Sequence, residues 1–361
     1  MATAIYSTIS GRGSALPKQR IDNNYFASWD FFGKDGARID KPGGAIVAKL
    51  ESISGIKERR FIADDEDSID IMLEASEAAL ADAGITAGEL EGIIVAHNAG
   101  NMLKKHSPDE GQSFHTVPNL AAVLKNRLGA SQHDCPSYDI LFGCPGWVEG
   151  MIQAQRMIPL GEAKHVLVLG VEVASRLLDP HDMDSMLMSD GCGAAVLSAS
   201  AAPGIVAHAT FSHGLGDLNS ITLGESLNAE RPGKAYFKMN GRDVYRYATT
   251  WLRQVVKKAL DKATLSPRDI DFFFFHQANA KMLTVIAHNL MKLYGMETEE
   301  YAHKIPSSIS FLGNSSVATV PTLFDLVRQG EMKGFELRKG QRYVFASVGA
   351  GMHCNALVYE S

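Results

Sequence analysis

Two stretches of the chain lie on one another without a gap. ALADAGITAGELEGIIVAHN, residues 79–98, aligns with ALDKATLSPRDIDFFFFHQA, residues 259–278, at an offset of 180 in a chain of 361. In both copies a helix end leads to a hydroxyl residue (Thr86 or Ser266) and an acid (Glu89 or Asp269). An aliphatic residue, a second acid, four apolar strand residues and a polar exit follow. A second pairing comes in the same order. SYDILFGCPGW around Cys144 matches SSISFLGNSSV around Asn314, each read as a short strand that ends on a glycine and a polar residue and opens a helix. Those helices run to Gly161-Glu162 and Gly330-Glu331, and apolar strands, HVLVLG and RYVFASV, come next. Two pairings in one order argue for a duplicated α/β unit with mixed or parallel sheets between helix layers, divided into halves 1–200 and 201–361. The length agrees, since single cores usually split beyond roughly 250 to 300 residues.

Composition excludes several classes. The formal net charge is −6 with both signs interspersed, which leaves no basic face for nucleic acid. No apolar run reaches the ~18 residues of a membrane span. MATAIYSTISGRG has no basic region followed by an apolar stretch, so a cytoplasmic protein is expected. Cys135, Cys144, Cys192 and Cys354 form no CxxC pair and no finger spacing, which suits reduced thiols and no metal. From Val244 to Leu260 the apolar residues follow a 3.6-residue period, with Arg253, Lys257 and Lys258 opposite. The polar segment 100–112 is long for a compact domain and is expected to be a functional or interface loop.

FFFFHQAN, residues 272–279, sets four phenylalanines before an ionisable ring. Such a run fits a strand buried on both faces, with His276 where it emerges. A histidine there can be a satisfied core residue or a catalytic group. Cys144 precedes Pro145 at an expected helix start, where the positive end of the dipole favours thiolate. Asn314 occupies the matching position of the second half. If the halves face one another, Cys144, His276 and Asn314 meet, and Gly349 of SVGAGM offers a backbone N–H to an oxyanion.

These residues carry a resemblance to the beta-ketoacyl-acyl-carrier-protein synthase III family of the thiolase superfamily. It extends over SGIKERR (54–60), FGCPGW (142–147), the segment from Ser175 with DPHD, SDGCGAAVL (189–197), KMNGRDVYRYA (238–248), HQAN (276–279), GNSSVATVP (313–321) and the terminal VGAGMHCNALV. The resemblance implies a thiolase-like, five-layered αβαβα fold, a homodimer, and Cys144, His276 and Asn314 as the catalytic set. It also implies a ping-pong acyltransferase without cofactor. An acyl primer loaded on Cys144 condenses with a malonyl- or beta-ketoacyl-type thioester on acyl carrier protein, Nε2–H of His276 and the Asn314 amide holding the enolate. Ser347 stands where biosynthetic thiolases carry a second cysteine, which favours irreversible condensation.

Departures from the family define the alternatives. Lys49, Ile53 and Met183 replace the tryptophan and arginines that grip coenzyme A, so carrier protein competes with acyl-CoA as donor. A basic set, Arg242, Arg246, Arg253, Lys257 and Lys281, is then expected to dock the carrier, with Gly241 and Asn279 lining the pantetheine tunnel. Val117 stands where family dimers place a residue in the neighbour's acyl pocket, and its small size implies a primer longer than acetyl. A synthase joining two acyl units (dialkylresorcinol or alkylquinolone type), a plain acyltransferase and a partner subunit of a condensing heterodimer are the other readings. The retained Cys, His and Asn weigh against the last.

Overall fold

Strand residues point alternately to the two faces of a sheet, so four aromatic residues in succession need an apolar layer on each side. Phe272–Phe275 have both in the computed structural model, which describes residues 5–104, 114–231 and 234–361. Phe272 and Phe274 share a core with Trp147, Phe324 and Phe345, whereas Phe273 and Phe275 share another with Leu252, Val256 and Ile286. Residues 105–112 of the expected functional loop lie outside the described residues.

The framework elements in chain order are β1 (Tyr6–Ala15), α1 (Ser68–Ala83), β2 (Gly92–Ala96), α2 (Leu120–Leu128), β3 (Ser137–Ile140), α3 (Gly146–Met157), β4 (His165–Val173) and β5 (Asp190–Ser200). They continue with β6 (Ile205–Ser212), α4 (Gly241–Ala263), β7 (Phe272–Phe275), α5 (Ala280–Lys292), α6 (Thr319–Arg328), β8 (Arg342–Gly349) and β9 (His353–Glu360). One sheet has the order β1-β5-β4-β2-β3 and the other β6-β9-β8-β7. In each, the first two pairings are antiparallel and the rest parallel. The helices α3 and α6 supply Met151, Ile152, Leu323 and Phe324 to the core between the sheets. The outer faces carry α1 and α2 on the first sheet and α4 and α5 on the second. Five layers, α-β-α-β-α, result. No helix among the described residues is long and apolar enough to cross a membrane.

The first sequence pairing is reproduced bond by bond. Thr86 and Glu89 close a capping box before β2, and Ser266 and Asp269 close the same box before β7. The second pairing holds only in part. Residues before Cys144 form β3, as expected, but Ile309–Leu312 before Asn314 form a single helical turn instead of a strand. The cause is local. The Gln277 Oε1 accepts the backbone N–H of Ser308 and the Ser307 hydroxyl (3.2 and 2.9 Å), and the Ser308 carbonyl accepts from Phe311 and Leu312. The donors that a fifth strand would offer are thereby taken.

The duplicated helix ends differ in one residue that matters. Gly84 ends α1 at φ 67°, and Thr264 ends α4 at φ 58°. A β-branched residue in the left-handed region is strained, where glycine is not. Thr264→Gly should therefore raise unfolding stability by about 1 kcal/mol, less whatever the freer unfolded chain recovers. Urea titration would show a higher midpoint at unchanged slope; a lower midpoint would mean that the threonine side chain compensates its backbone.

Candidate active site

A glycine with positive φ precedes each of the two matched polar residues: Gly143 (φ 64°) before Cys144 and Gly313 (φ 62°) before Asn314. A Cβ on Gly143 would fall 2.6 Å from the Ala350 nitrogen, so the loop after β8 presses directly on the Cys144 turn. Gly349 closes the contact, because a Cβ there would lie 2.5 Å from the Cys144 nitrogen. Pro145 is the N-cap of α3 rather than its first helical residue, which sets Cys144 one position before the cap.

The thiol itself corrects an expectation. Helix polarity favours thiolate at this position, yet burial pushes the Cys144 thiol up to about 11, with the nearby Glu172 carboxylate adding and the Ser316 hydrogen bond opposing. Removal from water outweighs the helix end.

Ser316 ties the polar groups together. Its Oγ lies 3.2 Å from Cys144 Sγ, and its N–H donates to Asn314 Oδ1 at 2.9 Å. With Oδ1 occupied, the Asn314 Nδ2 remains as the donor for the cavity that this side chain lines. The Ser316 carbonyl accepts from the Thr319 hydroxyl (2.9 Å), and Thr319 Oγ1 lies 2.7 Å from His276 Nδ1. A hydroxyl carries one proton. With that proton on the Ser316 carbonyl, His276 donates through Nδ1, and with it on Nδ1 the ring is the Nε2–H tautomer that the resemblance implies. Turning the Thr319 proton to Nδ1 exchanges the two tautomers. Burial alone lowers the ring to about 4, so His276 is neutral at pH 7 in either form.

Two cavities meet at Cys144 and Asn314. The wider, about 440 Å³, is lined by His276, Asn279, Gly241 and Arg242 and by the apolar Leu50, Ile53 and Met183. The narrower, about 200 Å³, runs past Met188, Ile221, Leu223 and Phe237 beneath a hairpin of Ile221–Gly224 and Tyr236–Met239. Of the expected site residues, Cys144, His276, Asn314, Gly241 and Asn279 line the wider cavity, and Gly349 abuts Cys144. Val117 lines neither and is 85 % exposed.

The five expected docking cations differ in their surroundings. Arg242 is at the cavity and Lys281 is exposed in the first turn of α5. Arg246 is held by Asp217 and Asp243, Lys257 by Asp261, and Arg253 donates to the Thr250 carbonyl. At 1.5 Å per residue, Lys257 lies ~22 Å along α4 from Arg242.

Glu172, Asn98, Ser316 and Thr319 escaped the sequence reading. Glu172 had a visible signal, a lone acid inside the apolar strand HVLVLGVEV, which is the same pattern that singled out His276. Asn98 bonds both Glu172 and Ser316. Burial raises Glu172 to about 7, against the hydrogen bond from Asn98.

Residues 138–214 match the family described as 3-oxoacyl-[acyl-carrier-protein] synthase III, and residues 260–361 match its C-terminal part. A beta-ketoacyl-[acyl-carrier-protein] synthase III of Neisseria meningitidis is 29% identical over 358 residues, covering 98% of this chain and 99% of that one. Among solved structures, the priming beta-ketosynthase of a polyketide pathway superposes with a TM-score of 0.79 at 25% identity, covering 99% of this chain and 97% of the other. The 3-oxoacyl-(acyl carrier protein) synthase III of Pseudomonas aeruginosa gives 0.77 at 25% identity, with 98% of each chain covered.

The neutral imidazole has a consequence for stability. The folded value of about 4 lies below the 6.5 of an unperturbed ring, so the unfolded chain takes up the proton first. Stability from the neutral ring is complete above pH ~6.5 and is lost as pH falls through about 4, amounting to about 3 kcal/mol. Raised Glu172 and Asp190 act with the opposite sign, in wild type and variant alike. Chemical denaturation at pH 7 and pH 4.5 should show a smaller acid loss for His276→Gln than for wild type; equal losses would refute the buried neutral ring.

Proposed function

The chain belongs to the 3-oxoacyl-[acyl-carrier-protein] synthase III family of condensing acyltransferases, and on that premise we propose a decarboxylative Claisen condensation centred on Cys144. The sulfur attacks the thioester carbonyl of an acyl primer, the backbone N–H groups of Cys144 and Gly349 hold the oxyanion, and the carrier thiol departs. A malonyl- or beta-ketoacyl-type thioester on acyl carrier protein then enters. With a malonyl unit, carbon dioxide leaves and the enolate oxygen rests on Asn314 Nδ2 and on Nε2–H of His276, the Thr319 hydroxyl being turned to Nδ1. The α-carbon attacks the acyl-cysteine and releases Cys144. One observation carries this reading: Ser316 N–H holds Asn314 Oδ1, which leaves the amide donor for the cavity that Cys144 and His276 share. We divide the labour between halves 1–200, with the nucleophile, and 201–361, with the imidazole and amide.

The second cavity favours a further reading, a synthase that joins two acyl units. Its apolar wall gives a second chain somewhere to lie while the first occupies Cys144. The substrate assignment is open to direct test. Cys144→Ala should take up no acyl mass, whereas Asn314→Ala should acylate yet condense ~10²-fold more slowly, as removal of one oxyanion donor usually costs. Normal condensation by Asn314→Ala would remove its role. Acylated wild type offered malonyl and beta-ketoacyl carrier thioesters in parallel distinguishes the two readings by the mass of the product.

We also propose a homodimer in which the exposed Val117 enters the neighbouring copy's acyl pocket, and a carrier protein that docks at Arg242 and Lys281 in place of the lost adenine grip. Val117→Phe should shorten the preferred primer, read as intact mass after competition among acyl chains; an unchanged profile would place Val117 outside the pocket. Primer on carrier protein should load faster than primer on coenzyme A, and added salt should reduce that advantage as charges are screened. Equal loading at low and high salt would dispose of the docking site.

A further inference from the structure

The acyl-transfer scheme leaves one buried carboxylate unused. Glu172 of β4 is 2 % exposed and lies against the groups that hold the nucleophile. Asn98 Nδ2 donates to Glu172 Oε2 and, at 3.0 Å, to Ser316 Oγ. Ser316 Oγ thus shares the Asn98 amide nitrogen with the Glu172 carboxylate and stands 3.2 Å from Cys144 Sγ. Its backbone is fixed at φ 51°, with its N–H on Asn314, so the hydroxyl is held beside the thiol and on the amide that also binds the carboxylate.

The charged groups around Glu172 come from three elements. His97, after β2, acts on it favourably and is paired with Asp139 of β3 at 3.0 Å. Asp190, at the start of β5, opposes its ionisation and is itself bonded by Ser175 and by the Ile62 N–H. Cys144, before α3, is the third. Here a second negative charge is costly, so ionising the thiol beside an already charged Glu172 is disfavoured. Moving one proton from sulfur to carboxylate avoids that, because the site keeps a single negative charge.

We propose that Glu172 is the proton acceptor for Cys144, reached through the Ser316 hydroxyl. As sulfur attacks the thioester, the S–H bond breaks and its proton goes to Ser316 Oγ while the Ser316 O–H proton passes to Glu172. The sulfur bonds to the carbonyl carbon, Ser316 is regenerated and Glu172 becomes a neutral acid; the carrier sulfur leaves as thiolate and is protonated from solvent, and Glu172 then releases its proton. Ser316 is the relay and Glu172 the base. The relay rests on Cys144 as nucleophile.

Iodoacetamide alkylation of the full-length protein, followed by intact mass from pH 6 to 10, tests the relay without any acyl substrate, so its failure is separate from failure of the condensation reading. Wild type should gain reactivity through pH ~7, where Glu172 ionises, and then level off. Glu172→Gln should lose that step and react at least about tenfold more slowly at pH 8. A bystander carboxylate predicts the opposite sign, since deleting its charge would ease ionisation of the thiol and speed alkylation. Ser316→Ala, which keeps Glu172, should lose the same step, and the double variant should be no slower than Glu172→Gln. Unchanged or faster alkylation of Glu172→Gln, or a wild-type profile in Ser316→Ala, overturns the proposal.

Discussion

The site depends on one residue held in a conformation that side chains resist. Ser316 sits at φ 51°, and every polar group it has is engaged: hydroxyl near the Cys144 sulfur, N–H on Asn314, carbonyl accepting from Thr319, which positions His276. Left-handed backbone at a non-glycine residue costs free energy that the surroundings must offset. What offsets it is this set of bonds together with the core contact of Val317, which follows it. The nucleophile, amide and imidazole arrive on three separate segments, and Ser316 sets their spacing.

Burial decides the chemistry more than any single pairing does. The same exclusion of water raises Cys144 and Glu172 and lowers His276, so each group is pushed toward its neutral form. A dry site strengthens every hydrogen bond aimed at a developing charge and penalises charge that has no donor. The helix N-terminus beside Cys144 is therefore better understood as a stabiliser of charge formed during reaction than as a source of standing thiolate.

Much of the architecture was legible because it is written twice. The offset between residues 79–98 and 259–278 captured two strands and their capping boxes, and the run of four phenylalanines required apolar layers on both sides of its sheet. The positions of Cys144 and Asn314 were also recoverable, each behind a glycine that turns the chain. Other features depend on contacts that no local pattern contains. Ser308, bonded by Gln277, closes Ile309–Leu312 into a helical turn by accepting from Phe311 and Leu312, and carboxylates on the same helix claim two of the cations expected to dock a partner. Glu172 is the instructive miss, since its apolar setting was as plain as that of His276 and only its neighbours across the sheet show what it touches.

The matched glycines carry a further implication, about symmetry. Matched turns in the two halves end in different chemistry, a thiol in one and an amide in the other, and both residues line a common cavity. A symmetric pair of half-length chains would have had to place the same side chain at both turns, two thiols or two amides facing each other. Within one polypeptide that constraint is absent, because a substitution can strike one half alone. The division between attacking and charge-holding groups is thus a form of asymmetry that an exact two-fold assembly of identical half-length chains could not hold.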